Sequence, residues 1–428
     1  MIKTGYLILG AGPAGLSLAC KLKALGEENF IIVEKEETVG GLCRSEMVDG
    51  APLDIGGGHF LDVRRPSVNR FLFEYMPEEE WNKFTRDSRI SVDLVPPGSS
   101  TGKAKTYELH HPFEANIWEL PKNIQKRYLD SIAEAGCNVG EPKPAKFVDW
   151  IRWKLGDAIA SDYMIPYNTK MFANNLNELG TYWLEKLPNV SYEETLASCR
   201  EKHAQGSQPG HAEFYYPKKY GYGEVWLRMG ASLGDALICG VAVKSVDSIN
   251  KVVTLEDGTE IEAELIITTI PWNSFDLVWA PNRIKDAISK LKSTSVNITY
   301  RPKTLDTEAQ WIYYPSLDLD YHRILVRSNF AIGSKGYWEE CRSDRFKEAE
   351  GDVTFRMDYA YPLNTIQKVD AIAKVLDFAA KSHIIGLGRW GEHNHYNSDV
   401  TVDRALKLAA SLIEGSRGLR GDIDNDGN

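Results

Sequence analysis

A chain of 428 residues exceeds one ordinary hydrophobic core, which stops growing at roughly 250 to 300 residues, so two or more lobes are expected. Hydrophobic residues at 43% and charged residues at 26% lie near globular averages and exclude a disordered, collagen-like or coiled-coil chain. Fifty basic against sixty acidic side chains leave a formal net charge of −10, which argues against binding nucleic acid or an anionic membrane through global charge, so an anionic ligand needs a local cationic cluster.

The six cysteines (Cys20, Cys43, Cys137, Cys199, Cys239, Cys341) show no C-x-x-C spacing, so neither a disulfide framework nor a zinc site is expected, and a reducing cytoplasm fits. No apolar run approaches the roughly 18 residues of a membrane span. The apolar start, Gly5 to Cys20, superficially resembles a signal peptide, but its glycines point elsewhere.

Tyr6 to Leu9 reads as a buried parallel strand, Gly10-Ala11-Gly12-Pro13-Ala14-Gly15 follows at once, and Leu16 to Leu25 has helical apolar spacing. In such a strand–turn–helix unit Gly10 permits the tight turn, Gly12 leaves room for a pyrophosphate, and Gly15 lets helix and strand pack closely. The helix N-terminus supplies donors and a positive dipole end for phosphate. A second strand, Phe30 to Val33, ends in Glu34, where an acid would bind a ribose hydroxyl, with Lys35 adjacent. Two more glycine clusters follow, Gly40-Gly41-Leu42-Cys43-Arg44-Ser45 and Asp54-Ile55-Gly56-Gly57-Gly58-His59. Small residues let a flat ring lie against backbone, and Arg44 suits phosphate or the ring edge.

From Pro66 to Arg200 the pattern is mainly helical, with turn clusters at 96–102 and 205–210. The segments Gly240 to Val246, Val252 to Leu255 and Leu265 to Pro271 read as strands, with Asp257-Gly258 as a hairpin signal. Val296 to Tyr300, Trp311 to Tyr314, Ile324 to Arg327 and Val353 to Tyr359 again read as strands. A last helix, Asp403 to Glu414, is expected to follow a Thr401 cap and stop at Gly415. The tail Asp422 to Asn428 opens like a calcium loop without its closing glutamate, so it reads as a solvated acidic tail, and no metal site is expected.

The glycine clusters resemble the extended FAD signature of the amine oxidase, protoporphyrinogen oxidase and UDP-galactopyranose mutase superfamily. Four later stretches resemble UDP-galactopyranose mutase, especially its eukaryotic branch. They are Pro166-Tyr167-Asn168-Thr169-Lys170-Met171-Phe172 with Trp183-Leu184; Tyr216-Pro217 through Trp226; Trp311-Ile312-Tyr313-Tyr314-Pro315 with Arg323 and Ser328-Asn329; and Tyr361-Pro362 with Gly388-Arg389-Trp390-Gly391. The resemblance implies an α/β fold, with a Rossmann-like FAD-binding domain, a helical insertion and a mixed β-sheet substrate domain. It places the FAD domain at 1–65, 215–280 and 380–416, the mainly helical insertion at 66–214, the strand-rich substrate domain at 281–379 and the acidic tail at 417–428.

The resemblance further implies pyranose/furanose interconversion of a nucleotide sugar in cell-surface polysaccharide biosynthesis, with attack by reduced flavin N5 on the anomeric carbon and NADPH or NADH as reductant. FAD would rest on Gly10, Gly12, Pro13, Ala14, Gly15, Glu34, Lys35, Gly41, Leu42, Arg44, Gly57, Gly58, His59, Val243, Gly388 and Arg389. His59, Arg323 and Arg389 would be catalytic, and Asn168, Trp183, Tyr313, Arg323, Tyr361 and His395 would hold the substrate. As alternatives, Arg389 would be flavin-proximal only, Trp183 a core aromatic, and Tyr313 and Tyr361 plain sheet residues. Three departures stand out: Ile165 where the family has an arginine before P-Y-N, His395 where it has a tyrosine, and one more glycine in Ile55 to His59 than the usual G-G-H. A competing reading keeps the flavin and assigns an oxidoreductase of the amine oxidase type. The partner is a small-molecule substrate, with a homo-oligomer left open.

Overall fold

The computed structural model describes all residues but 99–101, 185–189, 207–211 and 426–428, and only the backbone of 416–425. The expected turn clusters at 96–102 and 205–210 and the calcium-like tail therefore fall partly outside the described residues. Strand β1 (Ile2–Leu9) lies parallel between β2 (Phe30–Val33) and the strand Glu260–Thr268. The sheet continues outward through Leu237–Ile238 on one side and Val252–Leu255, Val243–Asp247 and Asp276–Val278 on the other, while Ile384–Gly386 also pairs with Glu260–Thr268.

β1 shows why an unbroken apolar run was needed. Its side chains alternate between faces. Ile8 packs in the core with helix α1 (Pro13–Ala24) and the final helix, whereas Leu7 and Leu9 face the core containing Ile284, Ala287, Ala371 and Val375 of helices Asn282–Ser289 and Lys368–Lys381. The sheet is thus covered on both faces. No helix among the described residues is long and apolar enough to cross a membrane.

The second sheet has seven strands in the order Val353–Pro362, Ser293–Arg301, Tyr337–Arg342, Arg323–Leu325, Trp311–Tyr313, Ser88–Leu94 and Lys105–His110. Its last two strands lie inside 66–214, the stretch read as mainly helical, and Trp81–Thr85 there joins a small sheet with Leu61–Asp62 and Glu213–Pro217. Ser88, Ile90, Val92 and Leu94 point inward on a period of two, the strand signature, and helix dominates only from Phe113 onward. The final helix also differs from expectation. It runs Ser398–Asn425, so Thr401 is buried within it, and Gly415, a penalty of about 1 kcal/mol in a helix interior, does not stop it.

Candidate active site

At the carboxyl edge of the parallel sheet, the usual ligand edge of such folds, loops enclose a cavity of about 270 Å³. Gly10, at φ +97°, turns the chain out of β1, a conformation that favours glycine. A Cβ on Gly15 would sit 1.9 Å from the Gly10 carbonyl oxygen, so only glycine lets α1 approach the strand this closely. Gly12, Pro13 and Ala14 then bring the N-terminal turn of α1 to the cavity wall, with no acid in that turn to compete for an anion. Glu34 ends β2 and is held by the amides of Ala11 (2.8 Å) and Glu36 (3.1 Å). Arg44 donates to the Gly41 carbonyl and pairs with Glu36 at 3.2 Å.

Gly10, Gly12, Pro13, Ala14, Glu34, Lys35, Gly41, Leu42, Arg44, His59, Val243 and Arg389 all line this cavity. Gly15 and Gly388 shape it from behind, and a Cβ on Gly388 would come within 2.7 Å of Ala14 Cβ. Gly57 and Gly58 belong instead to a second cavity of about 290 Å³, which shares His59, Arg389 and Ser398 with the first.

The second cavity is built largely from the seven-stranded sheet. Tyr313 lies directly opposite Arg323, and Arg323 directly opposite Glu340, so three neighbouring strands present these side chains together. Tyr361 follows from the edge strand, and Arg389 and His395 from the segment before the final helix. Asn168 and Trp183 do not line the cavity. Asn168 is buried and donates to the Met164 carbonyl, while Trp183 donates to the Gly180 carbonyl and packs on Phe147 and Phe172. The helix Ile165–Met171 contributes Tyr167 and Met171 instead.

Sequence reasoning missed Arg86 and Glu340. Arg86 sits in the gap between two strands, donates to Ser88 Oγ (2.9 Å) and Tyr313 Oη (3.2 Å), and lies 4.8 Å above the Trp311 ring. Burial and the nearby Arg323 lower its pKa. Glu340 is fully buried. One of its oxygens accepts two bonds from Arg323, the Nε bond at 2.8 Å, and the other accepts from the Gly58 amide at 3.1 Å. Burial would lower the Arg323 pKa, and Glu340 overrides this and raises it. Arg389 spends its donors on backbone, binding the carbonyls of Tyr396 and Ala360. Its guanidinium lies 5.9 Å from the Tyr361 ring, which in turn contacts His395 at 5.1 Å.

His59 is pushed down to about 3 by burial, with Arg389 and then Arg323 adding to the shift, so the ring is neutral near pH 7. Its Nδ1 lies 2.9 Å from the Gly57 carbonyl, which can only accept, so Nδ1 carries the hydrogen and Nε2 is an acceptor. Three guanidiniums against one carboxylate leave this cavity with excess positive charge, as an anionic ligand requires.

Behind the glycine loop, Asp54 accepts from Ser45 Oγ, Tyr216 Oη and the Tyr222 amide through one oxygen, while its Oδ2 has no partner among the described residues. Burial raises its pKa from 3.8 to about 7. Between about pH 4 and 7 the folded protein therefore holds a proton that the unfolded chain has released, and stability falls as pH rises through that window, by about 4 kcal/mol for this group. Glu114, also pushed to about 7 by burial, adds its own slope. Asp54→Asn should flatten the decline in urea-unfolding free energy between pH 5 and 7 without removing the Glu114 share. An unchanged slope would refute the Asp54 assignment.

Residues 8–75 match the NAD(P)-binding Rossmann-like domain family. Coproporphyrinogen III oxidase of Mycobacterium leprae is 35% identical over 91 residues, covering 21% of this chain and 20% of that protein. Putrescine oxidase of Kocuria rosea is 30% identical over 167 residues, covering 37% and 33%. The chain thus matches a third or less of the length of these relatives. Among solved structures, reduced UDP-galactopyranose mutase superposes with a TM-score of 0.83 at 21% identity, covering 97% of this chain and 94% of that one. A putative protoporphyrinogen oxidase from Exiguobacterium sp. 255-15 gives 0.67 at 13% identity, over 96% and 98% of the two chains. Putrescine oxidase bound to putrescine gives 0.62 at 16% identity, over 96% and 99%. The α/β expectation holds, and the chain has the fold of the solved UDP-galactopyranose mutase, protoporphyrinogen oxidase and putrescine oxidase structures.

Proposed function

We propose that the chain is an FAD-dependent mutase acting on a nucleotide sugar. The observation that carries this reading is convergence: His59, Tyr313, Arg323, Tyr361, Arg389 and His395, spread across more than three hundred positions, wall one cavity that abuts the glycine-lined one. The first cavity fits FAD on its own geometry. Gly12 and Gly41 stand so close that a Cβ on Gly41 would lie 3.2 Å from Gly12 Cα, which makes a narrow backbone cradle beside the α1 N-terminus, and the fixed Glu34 carboxylate can accept from a ribose hydroxyl. When bound and reduced, FAD would supply the nucleophile for the anomeric carbon of the sugar.

The chain's own residues do the rest. Arg86 and Arg389 place positive charge where a diphosphate would lie, and the Tyr313 and Tyr361 hydroxyls are hydrogen-bonding groups for phosphate or sugar. Neutral His59 offers Nε2 as an acceptor for a sugar hydroxyl near the junction of the two cavities. Phe60, Trp311 and Tyr167 supply apolar wall that excludes water. NADPH or NADH is the proposed reductant.

The test incubates dithionite-reduced protein with UDP-galactopyranose or UDP-galactofuranose and resolves the ring isomers by chromatography. Conversion that requires the reduced protein is the expected result. The second reading, an amine oxidase type of oxidoreductase, draws on the putrescine oxidase likeness and on the Glu340 carboxylate in the cavity wall. Substrate-dependent bleaching of the oxidised flavin without isomer formation would favour it and overturn the mutase reading.

A further inference from the structure

We propose that Glu340 is a positioning and charge-balancing residue of the flavin–substrate junction. It cancels the charge of Arg323 and ties that arginine to the glycine loop bearing His59, so that Arg86 and Arg389 are the site's working cations. The inference rests on the FAD reading and goes beyond it to the role of one buried carboxylate.

Three observations support it. First, the carboxylate is divided: Oε2 takes both Arg323 bonds, and Oε1 takes the Gly58 amide. The loop approaches so closely that a Cβ on Gly57 would stand 2.8 Å from Oε1. Second, among the described residues no other cation shares the load. His322 Nε2 lies 3.7 Å from Oε2, but burial and then Arg323, Lys170 and Arg342 push that ring well below its ordinary value, so it is neutral and leaves Arg323 as the counter-charge. Third, the pair lies within electrostatic reach of the cofactor side. Glu340 holds the Gly58 amide, and the next residue, His59, lines both cavities. With Glu340 in place, Arg323 spends its Nε and one Nη on the carboxylate and presents little net charge to an anion. A neutral residue at 340 would release both the charge and those donors.

The FAD-loaded full-length protein supplies the test, with Glu340→Gln, Arg323→Gln and the Arg323→Gln/Glu340→Gln pair. An uncompensated guanidinium favours the reduced, more negative flavin. Glu340→Gln should therefore shift the two-electron equilibrium toward reduced flavin at least tenfold, about 30 mV in midpoint potential. It should also bind UDP at least tenfold more tightly by calorimetry. The double variant should return both readouts to within about threefold of the parent, because charge is again balanced. A merely structural role would move stability but neither of these. A folded, flavin-loaded Glu340→Gln with unchanged potential and UDP affinity would overturn the proposal. Should that variant fail to fold, the double variant decides: parent-like potential and UDP affinity support the pair, and shifted values overturn it. A protein that takes up no FAD would sink the cofactor reading instead, and UDP affinity across the same variants would still judge the pair.

Discussion

With FAD in the first cavity as proposed, Gly12→Ala should fold like the parent and fail to hold the flavin. Gly12 has φ −79° and ψ −174°, extended backbone that any residue adopts, and a Cβ there would meet nothing closer than Gly41 Cα at 3.8 Å. The fold therefore tolerates the methyl group. The cofactor should not, because Gly12 lines the cavity beside the α1 N-terminus, where a pyrophosphate needs the backbone itself. We expect at least tenfold weaker FAD retention, about 1.4 kcal/mol, with the far-ultraviolet spectrum unchanged. Gly15→Ala should do the opposite kind of damage. Its Cβ would press on the Gly10 carbonyl, so helix and strand must separate, and an overpacking loss of about 1–3 kcal/mol in stability should precede any flavin defect. Stoichiometric FAD in purified Gly12→Ala would remove the pyrophosphate assignment.

Arg323→Ala should be among the most destabilising single changes on the cavity wall. It strands the Glu340 carboxylate, which is fully buried and whose second oxygen is already committed to Gly58. Breaking one side of a buried pair costs about 3–5 kcal/mol, because the remaining buried charge loses its counter-charge and keeps only the Gly58 amide. Urea midpoints at neutral pH measure this directly. Replacing both residues together, Arg323→Met with Glu340→Leu, should recover most of the loss, since the pair's Coulombic gain only roughly offsets its desolvation. A loss below about 1 kcal/mol for Arg323→Ala would mean that the pair is solvent-screened, as exposed pairs are.

The sequence was most informative where the signal is local. The turn Gly10–Gly15 and the acid Glu34 announce themselves because steric room and helix polarity depend on neighbours in the chain, and β2 was read residue for residue. Glu340 could not be read this way. In Tyr337–Arg342 the run Tyr-Trp-Glu-Glu-Cys-Arg looks solvent-exposed, and only the cross-strand partner Arg323 explains how such a residue is buried. Asn168 and Trp183 show the reverse limit. A motif fixes the neighbourhood of a helix but not its rotation, and at about 100° per residue the choice between Tyr167 and Asn168 is the choice between cavity and core. The strands Ser88–Leu94 and Lys105–His110 were hidden by the helices around them, though their alternation was present all along.

The side-by-side register of Tyr313, Arg323 and Glu340 has a consequence for how this site can change. Because each residue stands on its own strand, the spacing among them is locked by backbone pairing and not by the connecting loops. Lengthening the turn between Tyr313 and Arg323 leaves that trio intact, whereas inserting one residue inside any of the three strands turns its side chains to the opposite face and dismantles the wall. Loop length and the identity of the three side chains can therefore change without disturbing the register, and the sheet acts as a fixed template on which different small-molecule preferences can be written.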